Sequence, residues 1–150
     1  GMSDEFRLGN EHLSDISRVI EDLAKRFPEV PLFLIGTSRG SISAAALSSR
    51  LGERTAGTIL TATMFRHTPR KSKEPGEGLS KFDFATIKVP LLFVHHVSDQ
   101  CESTPYGDAA LLSEKYLSRC SAELHRNRAH VRHLATMGFW ARSPRQSSKS

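Results

Sequence analysis

The first regular pattern of apolar and polar residues in the chain covers residues 10–27. Its apolar positions recur at steps of three and four, with charged residues between them, which predicts an amphipathic helix with one face on a core. We expect Asn10 to cap the start of this helix and Pro28 to end it. The apolar positions are Leu13, Ile16, Val19, Ile20, Leu23 and Phe27.

The pattern then changes to short apolar runs that alternate with helical periodicity. Continuous apolar runs of this length are typical of strands buried on both faces of a parallel sheet. Strand, helix, strand, linker, strand and helix in that order predict an α/β fold in which both faces of the sheet are covered. The predicted strands are residues 31–35, 56–65 and 91–96, and the predicted helices are residues 41–51, capped by Gly52, and residues 105–117.

A glycine-flanked serine stands between the first of these strands and its helix. Residues 36–40 read Gly-Thr-Ser-Arg-Gly and fit G-x-S-x-G, the strand-to-helix turn that presents a nucleophilic serine. The turn is tight, so we expect Gly36 and Gly40 to be small for steric reasons. Ser38 is then the candidate nucleophile and the Arg39 backbone N–H an oxyanion donor. The alternative is an ordinary junction in which the Ser38 hydroxyl caps the helix.

The composition and charge of the chain predict a domain boundary near its end. With 150 residues, 38% hydrophobic and 25% charged, the chain suits one globular domain, and no stretch is apolar enough to span a membrane. The net charge of +5 is concentrated in residues 119–150, which hold seven Lys or Arg and one Glu. We therefore expect a domain over residues 1–118 and a basic, poorly patterned tail over residues 119–150. The tail has no nucleic-acid-binding motif, so no specific nucleic-acid partner is expected.

Two segments together resemble the α/β-hydrolase superfamily. Residues 32–46 are similar to its nucleophile strand, elbow and following helix, and residues 89–99 to the later strand that ends on the acid. The resemblance covers about residues 10–118, the C-terminal half of the family fold. It implies a partial three-layer sandwich with a mainly parallel sheet, and it assigns the acid to Asp99. We expect the early strands to be missing, together with the second oxyanion donor that an early loop supplies, so that the first strand becomes an exposed sheet edge.

The resemblance also implies a histidine base in a loop after the last strand, followed by Gly and an aromatic residue. Residues 134–140 are similar to that loop, but Met137 stands at the position of the family His. His133 is the first candidate base and His130 the second, and a missing base is the third alternative. His95 and His96 lie at the end of a predicted strand, where we expect them to pack or to form hydrogen bonds.

The resulting hypothesis is a serine hydrolase of the esterase or acyl-hydrolase type, acting on a small ester-like substrate without cofactor or metal. The polar and basic residues 67–80 favour a polar or acidic ester. The alternative is a catalytically impaired or truncated fragment that acts, if at all, as an interaction module, with association through the exposed sheet edge.

Cys101 and Cys120 either pair in a disulfide or stay reduced. The compartment stays open between the cytoplasm and export, since the chain as given begins without a signal peptide.

Overall fold

The computed structural model describes residues 2–66 and 77–124, with side chains in the last helix described as far as Lys115. Its elements follow the predicted alternation. They are α1 (Asp4–Leu8), α2 (Asn10–Arg26), β1 (Phe33–Thr37), α3 (Arg39–Leu51), β2 (Gly57–Thr61), β3 (Leu91–Val94) and α4 (Tyr106–Leu124). Short 3₁₀ turns at Gly52–Arg54 and Phe84–Thr86 lie before β2 and β3. The α/β class is confirmed.

The three strands form one parallel sheet in the order β1-β2-β3. The register pairs Gly36 with Leu60 and Leu60 with Phe93. Because all three strands are parallel, their carboxyl ends meet at the same edge of the sheet, and the loops that follow them lie side by side. Ser38, residues 62–66 and the loop with Asp99 all follow these ends.

One face of the sheet carries the core. α3 packs against β1 and β2, and its Ser48 hydroxyl accepts a hydrogen bond of 2.7 Å from Thr58 in β2. The buried side chains of this face form one apolar cluster that reaches Ala109 of α4. A second cluster joins α2 to the far end of α3 through Ile20, Leu47 and Leu51.

The other face of the sheet is only partly covered within the described residues. Phe33 and Ile35 of β1 are 53% and 66% exposed, and the register places them on the same face as Ile59 and Leu92, which are half-buried. The prediction that the first strand is buried on both faces is therefore wrong. A continuous apolar run cannot tell a central strand from an edge strand, since only tertiary neighbours decide that difference.

The amino-terminal segment forms a helix, α1, that the pattern did not predict. α1 has only five residues, fewer than an isolated helix needs, and long-range polar contacts hold it. Arg7 donates to the Ser43 hydroxyl at 3.0 Å, and Arg50 donates to the Leu8 carbonyl at the end of the helix. Gly9 ends α1 and begins α2 without a side-chain capping bond, so the expected cap at Asn10 is wrong by one residue.

The remaining boundaries agree with the sequence to within a few residues. α2 ends at Arg26, before Pro28, and Gly52 caps α3 with φ +54°. β2 ends at Thr61, four residues short of the predicted end. The expected boundary between residues 118 and 119 falls inside α4, whose backbone continues to Leu124, and the basic tail beyond it lies outside the described residues. No helix in the described part of the chain has the length and apolar character that a membrane crossing requires.

Candidate active site

Ser38 lies at the junction of β1 and α3 in a strained backbone conformation. Its φ is 50° and its ψ is −121°, a region that non-glycine residues seldom occupy and that costs on the order of 1–3 kcal/mol. Its side chain makes no capping hydrogen bond to α3. The alternative that Ser38 is an ordinary N-cap is therefore wrong, because a capping serine has extended backbone and bonds the helix amides.

Gly36 is the residue that makes this junction possible. A Cβ built at Gly36 would lie 2.7 Å from the Ala44 Cβ and would overlap the carbonyl of Gly40. A Cβ at Gly40 would meet nothing within 4 Å. The expectation that both glycines are sterically required is thus supported at Gly36 and wrong at Gly40. Gly36 thus allows β1 to lie close to the backbone of the first turn of α3.

Backbone hydrogen bonds fix Ser38 on both sides. Its N–H donates to the Thr61 carbonyl at 3.0 Å. Its carbonyl accepts from the Ser41 amide at 2.9 Å and from the Ser41 hydroxyl at 2.5 Å. The bond to Thr61 ties the serine to the carboxyl end of β2, so its position relative to the sheet is set by main-chain contacts.

Arg39 begins α3, directly after Ser38. Its guanidinium lies 3.9 Å from the carboxylate of the buried Asp4, so the side chain extends toward α1. An amide in the first turn of a helix has no intrahelical acceptor, and the helix dipole adds positive potential there. The backbone N–H of Arg39 therefore has the properties of an oxyanion donor.

Asp99 lies in the loop between β3 and α4, and both oxygens of its carboxylate accept hydrogen bonds. The Cys101 amide donates to Oδ1 at 2.9 Å and the Thr104 hydroxyl donates to Oδ2 at 2.8 Å. These bonds, the amide first, hold the pKa of Asp99 below its ordinary value because they favour the charged form. The Asp99 carboxylate thus has a hydrogen bond at each oxygen that favours its charged form, and an ionised carboxylate is the form that orients a histidine in a triad.

His95 and His96 adopt the packing and hydrogen-bonding roles predicted for them. The Nε2 atom of His95 accepts from the Thr63 amide at 3.0 Å, and its ring stacks on Phe65 with centroids 5.9 Å apart. The Nδ1 atom of His96 accepts from the Ser98 amide at 3.1 Å. Because the Nε2 lone pair of His95 is already engaged, this residue is unsuited to take a proton from Ser38.

The fold thus brings Ser38 and Asp99 to the same edge of the sheet, where they follow β1 and β3, two strands separated by β2. Two strand spacings place the backbones of β1 and β3 about 10 Å apart, a gap that a histidine can fill when it bonds a nucleophile and an acid together. His133, His130 and Met137 lie outside the described residues, as does most of the predicted substrate loop. Cys101 is a free, exposed cysteine, and the Cys120 side chain is not described.

Sequence reasoning missed two side chains at this edge. The Thr104 hydroxyl donates to the Asp99 carboxylate, and the Ser41 hydroxyl donates to the carbonyl of Ser38. A serine side chain in a helix can donate to the backbone carbonyl three or four residues before it. The contact from Ser41 to Ser38 could therefore have been predicted from the sequence. The contact from Thr104 could not, because it depends on the fold of a loop. Within the described ranges, no group of three or more His, Cys, Asp or Glu side chains is arranged to hold a metal.

Comparison with protein families gives an independent result. No curated protein and no solved structure was found to match the chain. A family model described as "Serine aminopeptidase, S33" matches residues 5–135, which include the elbow, the loop with Asp99 and the candidate His133. The family consists of hydrolases with the α/β-hydrolase fold. The match covers most of the chain, and the chain therefore belongs to the serine aminopeptidase S33 family of α/β hydrolases.

Proposed function

We propose that the protein is a serine hydrolase of the esterase or acyl-hydrolase type, with Ser38 as nucleophile and Asp99 as acid. The observation that carries the proposal is the backbone of Ser38. A strained φ of 50° at a strand-to-helix turn, with the side chain unused as a cap, has no structural benefit of its own. Its effect is to present the hydroxyl beside the amino terminus of α3.

The chemistry proceeds by acyl transfer. The Ser38 Oγ attacks the acyl carbonyl carbon while a histidine takes the hydroxyl proton, and the carbonyl electrons move onto oxygen. The Arg39 N–H stabilises that oxyanion. The carbonyl re-forms as the leaving group departs with the proton from the histidine. Water then attacks the acyl-enzyme by the same route and releases the acid product and free Ser38.

Asp99 supports this scheme through its charge. The carboxylate is ionised at neutral pH, and the hydrogen bonds that lower its pKa favour that form further, so it can orient and stabilise a protonated imidazole. His133 is the base that we propose, with His130 as the alternative. A chain without either base in place is the catalytically impaired fragment considered above.

The bond that we propose as substrate differs from the one in the family description. An aminopeptidase cleaves an amide, and ester and amide hydrolysis share the acyl-enzyme intermediate. We propose an ester or related acyl bond, in a small molecule, as the substrate. Comparing an acetyl ester with an aminoacyl anilide distinguishes the two: faster turnover of the anilide would replace the esterase assignment with a peptidase one.

The direct test of the nucleophile is reaction with a fluorophosphonate probe. We expect the purified chain to be phosphonylated and Ser38→Ala to be unreactive. Ser49→Ala is the matched control, since Ser49 lies on the same helix and its hydroxyl only bonds the Ala46 carbonyl. Absence of labelling in folded parent protein would contradict the enzyme proposal and favour the fragment alternative. Should labelling occur, unchanged turnover in His133→Ala would remove His133 from the triad.

A further inference from the structure

The segment that follows β2, residues 62–66, lies between the elbow and the loop with Asp99, and we call it the bridging segment. Ala62 has a φ of 41°, which turns the chain out of the strand. Five successive amides then donate to groups outside the segment. The acceptors are the Val94 carbonyl, His95 Nε2, Ser41 Oγ and, for the last two amides, the Ser103 carbonyl.

Four of these amides connect the bridging segment to β3 and the loop with Asp99. The distances are 3.0 Å to Val94, 3.0 Å to His95, and 2.9 and 3.4 Å to Ser103. Val94 and His95 precede Asp99, and Ser103 follows it. The loop is thus attached to the bridging segment on both sides of the acid.

Ser41 makes the connection to the elbow. It is completely buried, and its hydroxyl accepts from the Met64 amide at 2.9 Å while donating to the Ser38 carbonyl at 2.5 Å. One hydroxyl therefore joins the nucleophile to the bridging segment, with both its hydrogen-bonding functions in use.

His95 makes the corresponding connection on the side of the acid. To accept from the Thr63 amide at Nε2, the ring must be neutral with its proton on Nδ1. Stacking on Phe65, itself in the bridging segment, fixes the plane of the ring. Burial lowers the pKa of His95, although the nearby Asp99 charge raises it, so the neutral form prevails near pH 7.

We propose that Ser41 and His95 are positioning residues that hold Ser38 and Asp99 at a fixed separation through the bridging segment. The inference rests on the proposed function, because it concerns the geometry of the same site. The requirement is strict: a displacement of about 1 Å at a catalytic group costs on the order of 100-fold in rate. Ser38 follows β1 and Asp99 lies in the loop after β3, and these two strands are not neighbours, so the spacing of the two residues depends on what connects them across β2.

The test compares variants that remove each hydrogen bond with variants that retain it. Ser41→Ala removes both bonds of the hydroxyl. His95→Leu and His95→Asn remove the acceptor for the Thr63 amide, whereas His95→Gln reaches the position of Nε2 with its amide oxygen. Ser49→Ala is the matched control for Ser41→Ala, since the Ser49 hydroxyl bonds the Ala46 carbonyl within α3. His96→Gln is a control for the reaction rate alone, because exposed His96 accepts from the Ser98 amide, which lies inside the loop.

Two measurements are made on each folded variant. The first is the second-order rate constant for fluorophosphonate reaction at Ser38, and the second is hydrogen exchange in peptides that cover residues 97–105. We expect Ser41→Ala, His95→Leu and His95→Asn to react about 10- to 100-fold more slowly and to exchange faster across the loop. His95→Gln should recover most of the rate. Ser49→Ala should match the parent in both measurements, and His96→Gln should match it in rate.

Three results would decide against the proposal. Parent-like rates and exchange in Ser41→Ala and His95→Leu would show that neither side chain fixes the site. Equal losses in His95→Gln and His95→Leu would show that ring packing matters and the hydrogen bond does not. If the parent protein itself does not react, the proposed function fails, and unchanged loop exchange in Ser41→Ala and His95→Leu would then overturn the positioning role independently.

Discussion

Replacing Gly36 with Ala tests the steric basis of the elbow, because the same substitution at Gly40 provides its control. At Gly36 the new methyl would lie 2.7 Å from the Ala44 Cβ and would overlap the Gly40 carbonyl. One of the two contacted groups is backbone, so no side-chain rotation relieves the overlap, and α3 must move away from β1. Ala44 and the neighbouring Ala45 are buried in the main cluster, so that movement also disturbs the core.

The magnitude follows from the cost of overpacking. Inserting one methyl into a packed contact costs about 1–3 kcal/mol, and the backbone contact places Gly36→Ala near the upper value, about 3 kcal/mol. Gly40→Ala meets nothing within 4 Å and replaces glycine in a helix, so it should be neutral or stabilising by up to about 1 kcal/mol. The two variants are therefore expected to differ by roughly 3–4 kcal/mol in the free energy of unfolding.

Urea unfolding followed by circular dichroism measures both free energies, and fluorophosphonate labelling follows the site. We expect a lower midpoint and slower labelling in Gly36→Ala, with a parent-like or higher midpoint and parent-like labelling in Gly40→Ala. Equal stabilities of the two variants, or a Gly36→Ala protein as stable as the parent, would refute the argument that the Gly36 contact sets the distance between β1 and α3.

Three further predictions concern the acid, the buried histidine and the exposed sheet edge. Thr104→Val removes one of the two bonds that favour the Asp99 carboxylate, so the pKa of Asp99 should rise toward its ordinary 3.8; a carboxyl NMR titration that shows no change would contradict this. Burial lowers the pKa of His95 from 6.5, so its contribution to stability is complete above pH 6.5 and declines as the pH falls through the lowered pKa. His95→Gln should flatten that decline in urea unfolding, and an unchanged pH dependence in this variant would contradict the assignment. Ile35 is 66% exposed on the edge strand, so Ile35→Lys should change stability by less than about 0.5 kcal/mol and reduce any concentration-dependent association in sedimentation velocity; association unaffected by the lysine would place it elsewhere.

Local sequence signals predicted the elements that depend on local chemistry. The apolar periodicity of residues 10–27 predicted α2, and Gly52 predicted the left-handed position that ends α3. The small residues after Ser38 predicted that α3 lies close to the sheet. The elbow belongs with them, because Gly36 meets a steric need that its neighbours in sequence create.

The features that sequence reasoning missed depend on distant contacts. α1 is stable through Arg7 and Arg50, whose partners lie about forty residues away. The turn at Ala62 occurs at a residue type that gives no warning of positive φ. The exposure of Ile35 was not predicted by its apolar run, but the resemblance did imply an exposed first strand, and β1 is at the edge of the described sheet. Residues 62–65 of the bridging segment were predicted to belong to the second strand because the run is rich in β-branched and apolar residues. In the structure the amides of Thr63 and Met64 donate to side chains, and those of Phe65 and Arg66 donate to the Ser103 carbonyl.

The central claim is that Ser38 is an activated nucleophile, and the site of covalent modification tests it most directly. After reaction with a fluorophosphonate, peptide mapping by mass spectrometry should find one phosphonyl group, on Ser38, in the parent and in Gly40→Ala. An adduct on another serine, or an unmodified Ser38 in folded protein after prolonged reaction, would contradict the account.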